Sequence, residues 1–232
     1  MRDIADYFTL EPASRRIEDL ETPVPLVDLG IVERNLRRWQ ERCDKLRLRN
    51  RPHIKTHKLV PLARYQLDLG AQGITVQKLG EAEVMADAGI SDMLLTFNVV
   101  GAPKLKRLAA LARRTAISTV ADSPEVVAGL SEAGQSAGRD IDVLIECDTG
   151  ARRNGVQTPE AAADLARLVS RTKGVSYRGL MTYPRAGGRA ATAEFLTAAK
   201  TTVARSGLDT AIVSAGGSPD MWKDEGLDGI DE

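Results

Sequence analysis

The chain has 232 residues, 43% hydrophobic and 28% charged, the balance of a globular protein long enough for one sizeable core. Lysine plus arginine and aspartate plus glutamate total 32 each, so net charge gives no argument for nucleic acid or a membrane surface as partner. Two distant cysteines, Cys43 and Cys147, exclude a disulfide framework and a C-x-x-C zinc site, and with no signal-peptide or membrane-spanning run the expected location is the cytoplasm.

Residues 1–21 are polar and weakly patterned, a helical or irregular leader. Thr22-Pro23-Val24-Pro25 then introduces a short apolar strand at 26–29. From Gly30 the pattern turns helical: Val32, Leu36, Trp39, Cys43 and Leu46 form one apolar stripe. The basic residues Arg34, Arg37, Arg38, Arg42 and Lys45 share this helix with acids, as on a solvated face.

Next comes Arg51-Pro52-His53-Ile54-Lys55-Thr56-His57-Lys58. As a strand, its period of two puts Arg51, His53, Lys55 and His57 on one face, including both histidines of the chain. Burying that face in an ordinary core would cost several kcal/mol unless every group were paired. Two readings remain: an exposed edge, or the lining of a site built around a lysine.

Alternation follows. Helices are expected at 61–69, 81–88, 104–113, 124–137, 159–172 and 192–206, and strands at 73–79, 93–96, 116–120, 141–148, 177–183 and 210–214. Counted from the Lys55 strand, that is seven strands, with a partial eighth at 227–232. Strict βα alternation predicts an α/β fold with a parallel sheet, a TIM-type (β/α)8 barrel whose last strand is missing or barely begun. The alternative is an open doubly wound sheet. No Gly-x-Gly-x-x-Gly follows a strand, which disfavours a dinucleotide fold. A barrel short of a strand would carry two unpaired edges, so association or instability is expected.

Barrel sites lie at the carboxyl ends of the strands. Those ends carry Lys55-Thr56-His57, the turn Cys147-Asp148-Thr149-Gly150-Ala151-Arg152-Arg153-Asn154-Gly155, Met181-Thr182-Tyr183-Pro184, and Ser214-Ala215-Gly216-Gly217-Ser218-Pro219. Singly, each reads as a turn or a packing residue. Together they are chemically coherent. A lysine desolvated among other cations has a lowered pKa and an amine free for a Schiff base. Gly216 and Gly217 let backbone N–H groups approach an anion, and Ser218 adds a hydroxyl. Arg153 offers fixed positive charge for a phenolate or carboxylate. Pyridoxal 5′-phosphate asks a protein for this combination.

The same segments, with Gln77-Lys78-Leu79-Gly80-Glu81-Ala82-Glu83 and Gly179-Leu180-Met181-Thr182-Tyr183, resemble the D-threonine aldolase and D-serine dehydratase family of alanine racemase-like pyridoxal phosphate enzymes. The match runs from about Thr22 to the end, and Arg-Pro-His-x-Lys-Thr-His is its most specific part. The resemblance implies that Lys55 is the cofactor lysine and Arg153 lies beside the cofactor ring. It further implies that Tyr183 lines the substrate side, that Ser214, Gly216, Gly217 and Ser218 hold the phosphate, and that Gln77 lies near the ring. His53 and His57 would support the lysine or face the substrate. The implied activity is a lyase reaction on a D-configured β-hydroxy amino acid, aldol cleavage being favoured over dehydration.

In the family, the segment matching 1–29 precedes the barrel (here 30–232) and its strand pairs with a C-terminal β-domain, which these residues do not include. That domain carries a His-x-Asp or His-x-Cys pair binding a divalent metal, and a partner subunit completes a homodimeric site. Neither pair occurs here, so no complete metal site is expected within these residues, as for a fragment, a truncated product or an isolated domain. A non-catalytic pyridoxal phosphate carrier and an amino acid racemase remain as alternatives.

Overall fold

The computed structural model describes residues 2–8, 16–223 and 228–232; the expected leader at 1 and 9–15, and Leu227 of the partial strand, lie outside them. The leader makes short 3-10 turns at Ile4–Tyr7 and Ile17–Asp19.

The strand expected at 26–29 does not form. Asp28 ends the extended run because its Oδ1 accepts the Ile31 N–H at 2.9 Å, capping helix α1 (Leu29–Leu46). Leu26 and Val27 belong to no strand and lie 58% and 52% exposed.

The Lys55 segment is a strand only at its start. His53 bridges Thr75 in parallel, and the chain then closes into a 3-10 turn at Ile54–Thr56. Pro52 has no N–H for a ladder, and His53 Nδ1 accepts the Lys55 N–H at 3.3 Å, so local bonding replaces sheet bonding. The four-residue polar face is thereby broken. Arg51 turns to the amino ends of the strands, where it pairs with Asp92, while Lys55 is exposed at the opposite rim.

From there the alternation follows the expected order: α2 (Val60–Asp68), β1 (Ile74–Val76), α3 (Leu79–Asp87), β2 (Met93–Leu95), α4 (Ala102–Ala112), β3 (Ile117–Ala121), α5 (Pro124–Ala137), β4 (Ile141–Glu146), α6 (Pro159–Arg171), β5 (Val175–Thr182), α7 (Arg189–Arg205) and β6 (Ile212–Ala215). Prolines stand in the first turns of α2, α4, α5 and α6, where a missing N–H costs nothing. The six strands form one parallel sheet in the order β1-β2-β3-β4-β5-β6. Sequential order without a reversal point is that of a curling barrel wall and not of a doubly wound sheet. The result is an α/β half-barrel.

Alternation along the strands sorts the side chains into two layers. One set, including Ile74, Val76, Met93, Leu95, Ile145 and Val213, belongs to the large core shared with the helices. The other, Leu94, Val120, Leu144 and Met181 with Ile212 against them, is a small interior cluster. Gly179 allows β5 and β6 to approach closely: a Cβ there would lie 1.8 Å from the Ile212 carbonyl oxygen.

The sheet edges are not bare. On the β1 side, Thr75 N–H donates to Pro52 O and Gln72 N–H to Asn50 O, both at 2.8 Å. On the β6 side, Asp231 N–H donates to Val213 O and Glu232 O accepts from Ala215 N–H, both at 2.9 Å. Arg49 N–H reaches Asp231 O at 2.9 Å, joining the two segments. Behind this contact Arg51 Nε lies 3.0 Å from both Glu232 carboxylate oxygens, with the Glu232 side chain 1% exposed. No helix among the described residues is long and apolar enough to cross a membrane.

Candidate active site

The buried Ile54 anchors the short turn that carries Lys55. Lys55 Nζ lies 5.8 Å from the centroid of the Tyr183 ring, and the Arg153 guanidinium lies 4.5 Å from the same centroid. Both are within range of a cation–π attraction, so one half-buried ring collects two cations from separate loops. The desolvated lysine that the sequence suggests is instead exposed, because its turn lifts it clear of the ladder. Gly217 borders the ring: a Cβ at that position would sit 3.7 Å from Tyr183 Cε2.

His53 Nε2 is 3.2 Å from Gln77 Oε1, and since Nδ1 accepts the Lys55 N–H, the network assigns the ring proton to Nε2. Burial, and then the adjacent Lys55 charge, hold the His53 pKa below the ordinary histidine range. A neutral His53 thus fixes the backbone of Lys55. Gln77 is held in turn by Glu81, whose Oε2 accepts the Gln77 N–H at 2.8 Å and whose Oε1 pairs with Lys58 Nζ at 3.2 Å.

His57 belongs to a different neighbourhood. Its Nδ1 accepts the Leu59 N–H at 3.0 Å at the entrance to α2, and burial lowers its pKa while nearby Gln66 opposes the shift. Its Nε2 and Gln66 Oε1 are both buried without a hydrogen-bond partner among the described residues. Among the described residues no hydrogen bond, ion pair or ring contact joins His57 to Lys55, Arg153 or Tyr183.

The Arg153 turn is built by its own aspartate and by a neighbour. Asp148 Oδ1 accepts the Gly150 and Arg152 N–H groups, each at 2.9 Å. Asp122 Oδ2 takes the Gly155 N–H at 3.2 Å while its Oδ1 accepts from Asn98 at 2.7 Å. Gly155 has φ 111°, and a Cβ there would lie 2.6 Å from Asp148 N, so only glycine fits. Buried hydroxyls tie the turn to its neighbours: Thr192 Oγ1 donates to Thr149 at 3.1 Å, and Thr149 meets Thr182 at 3.0 Å.

Beyond β6, Ser214 is half-buried at the strand end and Gly216 and Ser218 are exposed. The Gly216 and Gly217 N–H groups donate to no acceptor among the described residues. Pro184, Thr192, Gly216, Gly217, Pro219 and Asp220 line a cleft beside them.

Sequence reasoning missed Glu146, Glu81 and Asp122. Glu146 ends β4 with its side chain 1% exposed, Oε1 4.0 Å from Arg153 Nη2 and Oε2 without a partner among the described residues. Burial pushes its pKa up to about 7, against the opposing charge of Arg153. The available signal was an acid inside the apolar run Ile141 to Cys147. Glu81 was equally readable, as an acid in the first turn of a helix that follows a strand.

The α/β half-barrel thus brings Lys55, Arg153, Tyr183 and Gly217 together at the carboxyl ends of its strands. The chain belongs to the alanine racemase N-terminal domain family, whose model matches residues 27–229. It is 40% identical to a D-threonine aldolase of Arthrobacter sp. over 164 residues, covering 71% of this chain and 43% of that protein. It is 33% identical to a D-threo-3-hydroxyaspartate dehydratase of Delftia sp. (strain HT23), covering 92% of this chain and 59% of that one. The crystal structure of a D-threonine aldolase from Filomicrobium marinum superposes with a TM-score of 0.84 at 34% identity, over 88% of this chain and 58% of that one. The chain therefore spans about half the length of the curated relatives it matches.

Proposed function

We propose that this chain is the cofactor-binding barrel of a pyridoxal 5′-phosphate-dependent lyase acting on a D-configured β-hydroxy amino acid. One observation carries the reading: Lys55 and Arg153 flank a single Tyr183 ring, 5.8 and 4.5 Å from its centroid, beside Gly217. The donor set fits the cofactor in each of its parts. Gly216 and Gly217 have unclaimed N–H groups among the described residues, and at Gly216 a Cβ would meet nothing within 4 Å, which leaves room for a phosphate. Ser218 contributes an exposed hydroxyl at the same loop and Ser214 the strand end behind it. When bound, the cofactor supplies an aldehyde for an amine and a ring that accepts the electrons left at Cα as a substrate bond breaks.

The remaining roles belong to the chain. Lys55 presents its amine at the rim, while neutral His53 and Gln77 fix the backbone it hangs from. Arg153 would hold an anionic oxygen of the bound cofactor, and Tyr183 would wall the substrate side. His57, apart from this group, supports the turn into α2. A divalent metal does not fit: among the described residues no three His, Cys, Asp or Glu side chains are grouped to hold one.

The segments 49–53 and 231–232 support the fuller architecture, an eight-place parallel barrel in which they take the first and last places. Val24, Leu26, Val27 and Ile31, all more than 40% exposed, support a leader that packs on a further domain.

Titration with pyridoxal phosphate should give a saturable change in cofactor absorbance that Lys55→Ala abolishes. If Lys55→Ala responds like the parent, the lysine is misassigned. Release of glycine from D-threonine would mark aldol cleavage, and of ammonia with a 2-oxo acid from 3-hydroxy-D-aspartate, dehydration. Binding without product from either substrate would favour the carrier reading.

A further inference from the structure

Arg153 is an exposed side chain on a long stem, yet its head is placed over one face of Tyr183. Two of its neighbours are neutral: the Tyr183 ring at 4.5 Å and Asn154 Oδ1, which accepts from Arg153 Nε at 2.9 Å. The third is the carboxylate of Glu146, reaching from the barrel interior with Oε1 4.0 Å from Nη2.

That carboxylate is poorly housed for a purely structural group. It is 1% exposed, and Oε2 has no partner among the described residues. A buried polar atom without a partner costs stability that an apolar side chain at the end of β4 would avoid. The charged and polar groups acting on it are Arg153 and Asn154 from the turn and Asp122 just after β3, while the neighbouring Cys147 thiol lies in the helix-side core. Asp122 opposes ionisation, Asn154 favours it modestly, and the thiol is itself pushed up to about 12 by burial and then by Glu146. Arg153 is the positive charge in that set.

We propose that Glu146 is the positioning residue of Arg153: its carboxylate holds the guanidinium over the Tyr183 ring, and it takes a proton when an anionic ligand group draws the guanidinium charge outward. This rests on the reading of Arg153 as the partner of an anionic cofactor oxygen. The balance is simple. No bond to carbon changes; one proton moves from water to Glu146 as one ion pair, Arg153 with Glu146, gives way to another, Arg153 with the ligand. Burial has already brought the Glu146 pKa to about 7, so the exchange falls in the neutral range. Linkage is reciprocal: if ligand binding favours the protonated form, lower pH favours ligand binding.

The probe is pyridoxine 5′-phosphate, which carries the phosphate and phenol but has no aldehyde to react with Lys55. Calorimetry in two buffers of different ionisation heat measures proton uptake. Near pH 7 the parent should take up a fraction of a proton more than Glu146→Gln. The parent-to-variant affinity ratio should rise by up to about tenfold between pH 8 and pH 6, the factor for one pKa unit of linked shift. Glu146→Asp, which keeps the titrating group on a shorter stem, should restore part of the uptake. Equal uptake and a flat ratio overturn the proposal. If the probe binds neither protein, the cofactor reading falls, and thermal melts of Glu146→Gln, Arg153→Gln and the double variant decide the remainder. Non-additive melting shifts at pH 8 that vanish at pH 5.5 uphold the positioning, and additive shifts at both pH values refute it.

Discussion

The carboxyl of Glu146 should cost the protein stability at neutral pH, and the cost can be worked out. Burial raises its pKa from the ordinary 4.5 to about 7 in the fold. Below pH 4.5 the group is protonated in both folded and unfolded chains, so it adds no penalty. Between 4.5 and 7 the unfolded chain releases the proton while the fold retains it, and stability falls as pH rises. Above 7 both are ionised and the penalty is constant. A gap of about 2.5 pKa units corresponds to about 3 kcal/mol. The attraction of Arg153 is already inside that figure, because it acts against the rise.

Glu146→Gln keeps the shape and removes the charge. The variant should therefore be the more stable protein at pH 8 by up to about 3 kcal/mol, with most of the advantage gone at pH 5. For a chain of this size each kcal/mol moves the melting temperature by roughly 2–4 °C, so the difference is measurable by calorimetry. Taking the difference between the two proteins at each pH cancels the other titrating groups. An advantage independent of pH, or a variant less stable at pH 8, would refute the buried-charge argument.

Three further outcomes follow from the geometry. Arg51→Ala leaves the buried Glu232 carboxylate without its guanidinium; breaking such a pair from one side costs about 3–5 kcal/mol, so urea unfolding should shift accordingly, and a change below 1 kcal/mol would mean the two segments close the sheet without it. Gly155→Ala forces a side chain into φ 111° against Asp148 N, and should lower stability by roughly 1–3 kcal/mol and weaken pyridoxal phosphate binding by displacing Arg153, both readable in one thermal-shift titration. Tyr183→Phe keeps the ring that Lys55 and Arg153 share and should bind pyridoxal phosphate within a few-fold of the parent, whereas Tyr183→Ala should bind it at least tenfold more weakly; equal loss in both would shift the role from the ring to the hydroxyl.

Most of the fold was legible because the helices and strands carry local signals that tertiary packing did not override. Pro124 in a first turn and Gly138 at φ 74° bound α5 where expected, and the runs read as β2, β4 and β5 form strands within a few residues of the expected bounds. The failures lie where one polar side chain outbids the ladder. Asp28 capped a helix in place of extending a strand, and His53 Nδ1 closed a turn where period-two reasoning saw four aligned side chains. Hydrophobic periodicity carries no information about such bonds.

That Lys55, Arg153, Tyr183 and Gly217 lie together could be anticipated because each follows a strand or strand-like segment, and strand ends converge in a barrel whatever the details between them. His57 could not be separated from His53 in the same way, since which of them faces the rim depends on a turn the sequence pattern did not reveal. Glu146 was hidden for the opposite reason. Its strand is apolar enough that one acid at the end resembles the polar rim of any strand, and only depth distinguishes it. With its side chain 1% exposed and Oε2 without a partner among the described residues, the acid is a costly group at the end of its strand. A buried acid that costs stability beside a cation points to a role in placing that cation, which the Glu146→Gln comparison tests.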